Sequence, residues 1–299
     1  MKVIHATPHE SIAGFTLPIV TAIGNFDGVH LGHKYLIEKM RECAESMNAV
    51  PAAATFDPLP SRFFGGDTPM ITTIPQRLRL ISQLGVEICL ILDFNACSTI
   101  SPEEFLKLLL NFGVKAIAVG KDFRFGRERV GDVELLSKIC SADRVKLLAV
   151  DKLTIGGVCA SSSHIRTLAR QGKVEEIPTY LGRYLSLSGV VAEGDKLGRS
   201  IGFPTANLRT ENELIPPAGV YGGRAVLEGG EYKALIYIGV RPTISGNEMR
   251  VEVNLQNFPP RDIYGEAMEL KFTQRLRSEM KFANLEELKK QIIRDQEKL

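Results

Sequence analysis

The sequence predicts two domains of different class. Residues 1–182 form an α/β domain, a parallel sheet with helices on both faces, and residues 183–299 an antiparallel β-barrel with a C-terminal helix. Three observations carry this. From residue 18 to about 182, apolar strand-like runs alternate with helix-like stretches, and runs such as Cys89–Leu92 lack polar alternation, as strands covered on both faces do. Beyond Tyr184, strand-like runs follow one another across glycine turns without helices between them, which implies a barrel. The 299 residues are long for one core and ample for two.

Composition excludes some function classes. Lys plus Arg number 37 against 35 Asp plus Glu, so nothing argues for bulk nucleic-acid or membrane-surface binding, while small anionic ligands need only local charge. The five cysteines, at 43, 89, 97, 140 and 159, are odd in number and irregularly spaced, which points to a reducing compartment. MKVIHATPHE lacks a signal-peptide apolar core and no run reaches the length of a membrane span, so the expected location is the cytoplasm. Every His and Cys precedes residue 165. Chemistry in the last 135 residues therefore rests on carboxylate, Lys, Tyr, Arg, hydroxyl or metal.

In chain order, the first informative stretch is Pro18–Ile37. Ile19 to Ile23 reads as a buried strand, and Gly24 to Gly32 as a turn into a helix of roughly four turns. Gly24, Gly28 and Gly32 allow close backbone approach, and the helix start offers unpaired N–H groups to an anion. His30 and His33, three apart, share a face there and can donate to phosphate oxygens. The competing readings are helix capping and a zinc site, and no third metal ligand is visible. Asp27 reads as a turn former or as phosphate-site polarity.

Further strands are expected at 51–56, 86–94, 114–120 and 144–150, and helices at 76–85, 101–113 and 132–140, the second capped by Ser101. TFDPLPSRFF (55–64), at a strand end, carries a carboxylate, two prolines and two adjacent aromatics and by itself reads equally as a rigid loop closing the sheet or as part of a site. GKDFRFGRERVGD (120–132) interleaves four cations with Phe123 and Phe125, which suits either a solvated loop or a planar ring bearing phosphate. SSSHIRTLARQG (161–172) offers three hydroxyls and then an amphipathic helix with Arg166 in its first turns. In the barrel, Gly229-Gly230 suggests a hairpin loop, and Leu285, Leu288, Ile292 and Ile293 form the apolar face of the last helix. GDKLGRSIGFPTANL (194–208) combines glycines, two cations, and oxygen donors at Thr205 and Asn207, which face the same way on an extended segment and suit a hard cation. Glu252 lies within an apolar strand and reads, on pattern alone, as a solvent-facing residue.

GNFDGVHLGH (24–33) resembles the signature of the nucleotidylyltransferase superfamily and, in this longer form, is similar to the bacterial bifunctional riboflavin kinase/FAD synthetase family. TFDPLP, GKDFRFG, SSSHIR and GDKLGRSIGFPTAN match further motifs of that family in order, so the resemblance spans about residues 15 to 295. It implies a Rossmann-like nucleotidylyltransferase domain that adenylylates FMN to FAD, and a flavokinase barrel that phosphorylates riboflavin.

By the same resemblance, Asn25, His30, His33 and Arg166 serve adenylyl transfer, with Gly24, Phe26, Gly28, Gly32, Ser161, Ser162 and Ser163 at ATP phosphates. Phe56, Pro58, Asp122, Phe123, Phe125 and Arg277 meet flavin. Gly194, Lys196, Gly198 and Gly202 hold the kinase nucleotide, Thr205 and Asn207 bind Mg²⁺ with ATP, and Glu252 is the base. The expected ligands are riboflavin, FMN, FAD and ATP, without nucleic acid or membrane; oligomeric state is open. The family usually reads EVHLxDF where this chain has Asn254 and Asn257, which implies a kinase of altered pH dependence. The alternatives are an enzyme with one working module, a flavin-sensing binding protein, and another nucleotidylyltransferase.

Overall fold

The computed structural model describes residues 1–7, 17–63, 65, 68–193, 202–243 and 246–299. They divide into two units, Met1–Ser161 and Ser162–Leu299. The first contains β1 (Lys2–Ala6), β2 (Ile19–Ile23), α1 (Leu31–Ser46), β3 (Val50–Asp57), α2 (Pro60–Phe63), α3 (Ile74–Ser82), β4 (Ile88–Asp93) and α4 (Phe94–Cys97). It continues with α5 (Pro102–Asn111), β5 (Val114–Gly120), α6 (Val133–Ala142), β6 (Lys146–Val150) and the small hairpin β7 (Thr154–Ile155) and β8 (Val158–Cys159).

Among the described residues, six strands form one parallel sheet in the order β1-β4-β3-β2-β5-β6. Both faces are covered: Ile19 and Ile23 join one apolar cluster with Phe105 and Leu109, while Val20 and Ala22 join another with Ile37 and Met40. That double burial is why β2 and β4 lack polar alternation. Each fully buried Ile or Leu contributes about 1.5–3 kcal/mol. Strand β1 escapes the alternation read from residue 18 onward because it is a short edge strand, with only Ile4 and Ala6 buried. Capping boxes open two helices, Thr73 with Gln76 and Ser101 with Glu104, each with a proline in its first two positions, so α3 starts two residues before the stretch expected from residue 76. The order of strands reverses beside β2, which pairs with β3 on one side and β5 on the other. In such sheets the ligand crevice lies beyond the carboxyl ends at this point.

The second unit holds α7 (Ser162–Arg170), α8 (Pro178–Leu181), β9 (Leu185–Ala192), β10 (Ala206–Thr210), β11 (Gly219–Leu227), β12 (Gly230–Thr243), β13 (Gly246–Leu255), β14 (Ala267–Arg277) and α9 (Leu285–Gln296). Among the described residues, six strands close an antiparallel barrel in the order β10-β13-β12-β11-β14-β9. Leu187, Leu208, Ile236, Ile238, Val251, Val253, Leu270 and Phe272 are buried and fill it.

Two local expectations are corrected. Leu227 pairs with Gly230, so the β11–β12 loop is Glu228-Gly229, one residue earlier than the Gly-Gly reading; Gly229 takes the left-handed φ of +99°. The last helix does not dock through its whole apolar stripe, since Leu285 is 54% and Ile293 48% exposed. Its anchor is polar: fully buried Asp295 accepts from Arg277 Nε at 2.8 Å and from Gln291 at 2.8 Å. A buried ion pair with both carboxylate oxygens engaged replaces part of the apolar seam.

Candidate active sites

In the first unit the loop after β2 is compressed. Phe26, Gly28 and Val29 have φ of +48°, +82° and +42°, and for a β-branched residue such as Val29 this is an uncommon, costly conformation. The surroundings hold it. Asp27, buried, accepts from Ile71 N at 3.0 Å, from Thr72 N at 3.1 Å and from the Thr72 hydroxyl at 3.2 Å, while Gly28 N donates to the Thr72 hydroxyl at 3.1 Å. Arg77, fully buried, donates to Phe56 O at 3.4 Å and Thr55 Oγ1 at 3.5 Å, and Thr55 Oγ1 donates to Asn25 O at 3.0 Å. Burial lowers the Arg77 pKa, and Asp27 and Asp57 oppose that shift. Of the two readings of Asp27, these bonds favour the structural one: it braces the loop. Arg77 carried no motif in the sequence, and no local signal marks a cation that will be buried.

His30 is the N-cap of α1, its Nδ1 accepting from His33 N at 3.3 Å. An accepting Nδ1 places the ring proton of the neutral imidazole on Nε2. Capping and anion donation, rival readings in sequence, are thus compatible on one ring. The His30 and His33 rings stack with centroids 3.6 Å apart, and Phe26 meets His33 edge-on at 5.2 Å. A Cβ on Gly32 would lie 2.9 Å from Ala160 O and 3.1 Å from the His30 ring, so only glycine admits this packing. Asn25 is exposed and Gly24 partly exposed beside it.

The remaining expected residues of this domain fall into several settings. Phe56 is buried against Phe94, and Pro58 follows a cis Asp57–Pro58 bond. Phe125 lies in the core against Phe105, and Phe123, partly exposed, stacks on it at 5.5 Å. The cations of the 120–132 run are partly neutralised: Lys121 pairs with Asp151 and Arg124 with Asp132, while Asp122 pairs with Lys152. Such exposed pairs contribute only about 0–1 kcal/mol each. Ser161, partly exposed, ends the first unit; the other expected hydroxyls and Arg166 fall in the second, where α7 opens at Ser162, Ser163 is exposed on it and Arg166 is buried.

In the second unit, register brings together residues far apart in sequence. Asn207 pairs with Glu252 and Glu252 with Tyr237, across β10, β13 and β12. Thr205 Oγ1 donates to Glu252 Oε2 at 3.3 Å, and Arg250 Nε lies 2.9 Å from both Glu252 Oε1 and Asn207 Oδ1. Arg250 was not singled out in sequence, although its spacing of two from Glu252 puts both on one strand face. Gly202 is exposed, with φ +91°. Gly194, Lys196 and Gly198 lie outside the described residues.

Asn254 is buried; it donates to Pro204 O at 2.8 Å and accepts from Gln256 at 2.6 Å and Gln296 at 2.9 Å. It ties α9 to the start of the Thr205–Asn207 segment. Asn257 is exposed, with φ +54°, a conformation asparagine tolerates well. Arg277 is committed to Asp295 and lies over Phe282 at 5.7 Å.

Among the described residues no group of three or more His, Cys, Asp or Glu could hold a metal, and no helix is long and apolar enough to cross a membrane. A family model described as FAD synthetase matches residues 15–164, and one described as riboflavin kinase matches residues 181–299. The chain is 36% identical to the bifunctional riboflavin kinase/FMN adenylyltransferase of Bacillus subtilis (strain 168), over 99% of this chain and 96% of that one. It is 35% identical to the protein of the same name from Escherichia coli (strain K12), over 93% and 90%. A Streptococcus pneumoniae crystal structure, described as a macrolide-efflux protein, aligns with a TM-score of 0.91 at 28% identity, over 99% of this chain and 98% of that one. With both halves matched in order and the full length covered, this chain belongs to the bifunctional riboflavin kinase/FMN adenylyltransferase family.

Proposed function

We infer that the chain makes FMN from riboflavin and ATP in its second unit, and FAD from FMN and ATP in its first. The observation that carries this reading is that each unit has its own set of groups suited to phosphate chemistry: a stacked histidine pair at a helix N-terminus in one, and a base with two oxygen donors in the other.

In adenylyl transfer a phosphate oxygen of FMN attacks the α-phosphorus of ATP and pyrophosphate leaves. No protein nucleophile is needed; the site must align two polyanions and stabilise the added equatorial charge. We assign His30, through Nε2–H, and His33 to that charge, supported by the α1 amides and dipole. Asn25, Gly24, Phe26, Gly28, Gly32 and Ser161 complete the ATP side in this assignment. Phe123, with Asp122, Phe56 and Pro58, lies on the flavin side; Phe125 supports Phe123 from the core.

In the kinase step the riboflavin 5′-hydroxyl attacks the γ-phosphorus, ADP leaves, and Glu252 takes the hydroxyl proton. Arg250, paired with Glu252, aims its carboxylate. The donors Thr205 Oγ1 and Asn207 Oδ1 are hard neutral oxygens that fit Mg²⁺ when ATP phosphates and water complete the shell. The ion, when bound with ATP, neutralises phosphate charge. Gly202, with Gly194, Lys196 and Gly198, belongs to the same nucleotide side. Arg277, bonded to Asp295, shapes the flavin end through α9. The five cysteines are free and four of them buried, which fits the cytoplasm.

A product time course with riboflavin, ATP and Mg²⁺ tests the reading: FMN rises first and FAD follows. FAD formed only when FMN is supplied would refute the kinase assignment, and flavin binding without turnover would refute both.

A further inference from the structure

The barrel site has an end that its motif does not explain. Asn207, Glu252 and Tyr237 stand in one row across three strands, and directly paired residues of antiparallel strands share a face. Their strand neighbours Ala206, Leu208, Val251, Val253, Ile236 and Ile238 are buried in the barrel, so the row lies on its outer wall. Thr205 and Asn207 mark the nucleotide end of the row in the reading above. A base must reach the acceptor hydroxyl, which places the acceptor on the other side of Glu252, where Tyr237 stands.

Tyr237 is 36% exposed, and its ring leans over Gly239, where a Cβ would collide with it. Its hydroxyl donates to Glu279, in the segment that follows β14. Burial, the bond to Glu279 and the charge of Glu252 push the phenol up to about 12, so it remains a donor at neutral pH. The same segment presents Met280, 53% exposed, next to the bonded Glu279.

We propose that the Tyr237–Glu279 bond tethers segment 278–283 beside the Asn207–Glu252 row, making both residues positioning residues for the flavin acceptor of the kinase reaction. A segment held in place offers its apolar surface to a planar ring without an ordering cost at each binding event. The benefit falls on the acceptor and leaves ATP binding alone. The proposal rests on the assignment of Glu252 and Asn207 to the kinase site.

The test measures FMN formation by Tyr237→Phe, Glu279→Ala and the double variant, with riboflavin and ATP varied separately. Each single change raises the KM for riboflavin by about tenfold, the scale of one hydrogen bond to a charged group. The KM for ATP stays at the parent value, which also shows the barrel intact, and the double variant is no worse than either single one. Glu279→Gln, which keeps an acceptor for the phenol, stays near the parent. An unchanged riboflavin KM, a shift in ATP KM alone, or losses that add in the double variant would overturn the tether. Glu252→Gln, run alongside, separates the two levels. If it retains kinase turnover, the site assignment fails and the tether with it; if it loses turnover while Tyr237→Phe behaves as the parent, only the tether fails.

Discussion

The two candidate sites are built in opposite ways. The site of the first unit is local: Gly24 to His33 is a single run of chain, and its geometry comes from a helix cap, a stacked ring pair and a left-handed turn within ten residues. The site of the second unit is assembled by strand register, with Thr205 and Asn207 some 45 positions from Glu252 and Tyr237 contributed by a third strand. A local site depends on what braces the loop from outside, here Asp27 and Arg77. A register-built site depends on strand pairing and on what holds its segments in place, here Asn254 and α9.

The sharpest way to break this contrast is to remove one chemical group from each site. Glu252→Gln lowers kinase turnover by about 10²–10⁴, the range for a lost general base, and leaves FAD formation from FMN unaffected. His33→Ala does the reverse, lowering adenylylation by about 10²–10³, as expected when a preorganised donor to developing charge is lost. Separate rate assays on riboflavin and on FMN check both, and a variant that damages both reactions equally would contradict independent sites.

The bracing residues give the next largest effect. Asp27→Asn removes the charge facing buried Arg77 and weakens three hydrogen bonds, which destabilises the first unit by about 3 kcal/mol. Denaturant unfolding should show this loss while kinase activity in the second unit persists. Asn254→Ala leaves Pro204 O, Gln256 and Gln296 without their partner, at a cost of about 1–3 kcal/mol, and raises the Mg²⁺ concentration needed for half-maximal kinase rate. A magnesium titration of the kinase rate is the measurement.

The smallest effect sharpens the comparison from the other side. Asn257→Asp leaves kinase kcat and its pH profile unchanged, because Asn257 is an exposed turn residue in a left-handed conformation that aspartate also accepts. A changed profile would mean that position 257 acts on the site after all. The altered pH dependence expected from sequence rested on counting lost ionisable groups. In the structure Asn254 is fully engaged in hydrogen bonds as an amide, which makes it a structural member of the network.

By itself the sequence determined what is written in short range. The double-sided burial of the parallel sheet follows from unbroken apolar runs, the start of α5 from its Ser101 cap, and the strand–turn–helix of residues 19–46 from an apolar run and glycines before a helical stretch, because these signals arise between residues a few positions apart. The identity of the barrel as a closed antiparallel array was also legible, since strands succeed one another without helices. Tertiary structure alone decided the rest. Arg77 becomes a buried cation because the 70–77 region folds over the loop, Arg250 reaches Asn207 because β10 and β13 pair in one register, and α9 docks through Asp295 because Arg277 ends the strand opposite it. A shift of one residue in pairing would turn these side chains to the other face. Register is a property of the whole folded sheet, which is why no motif within a single strand could announce it.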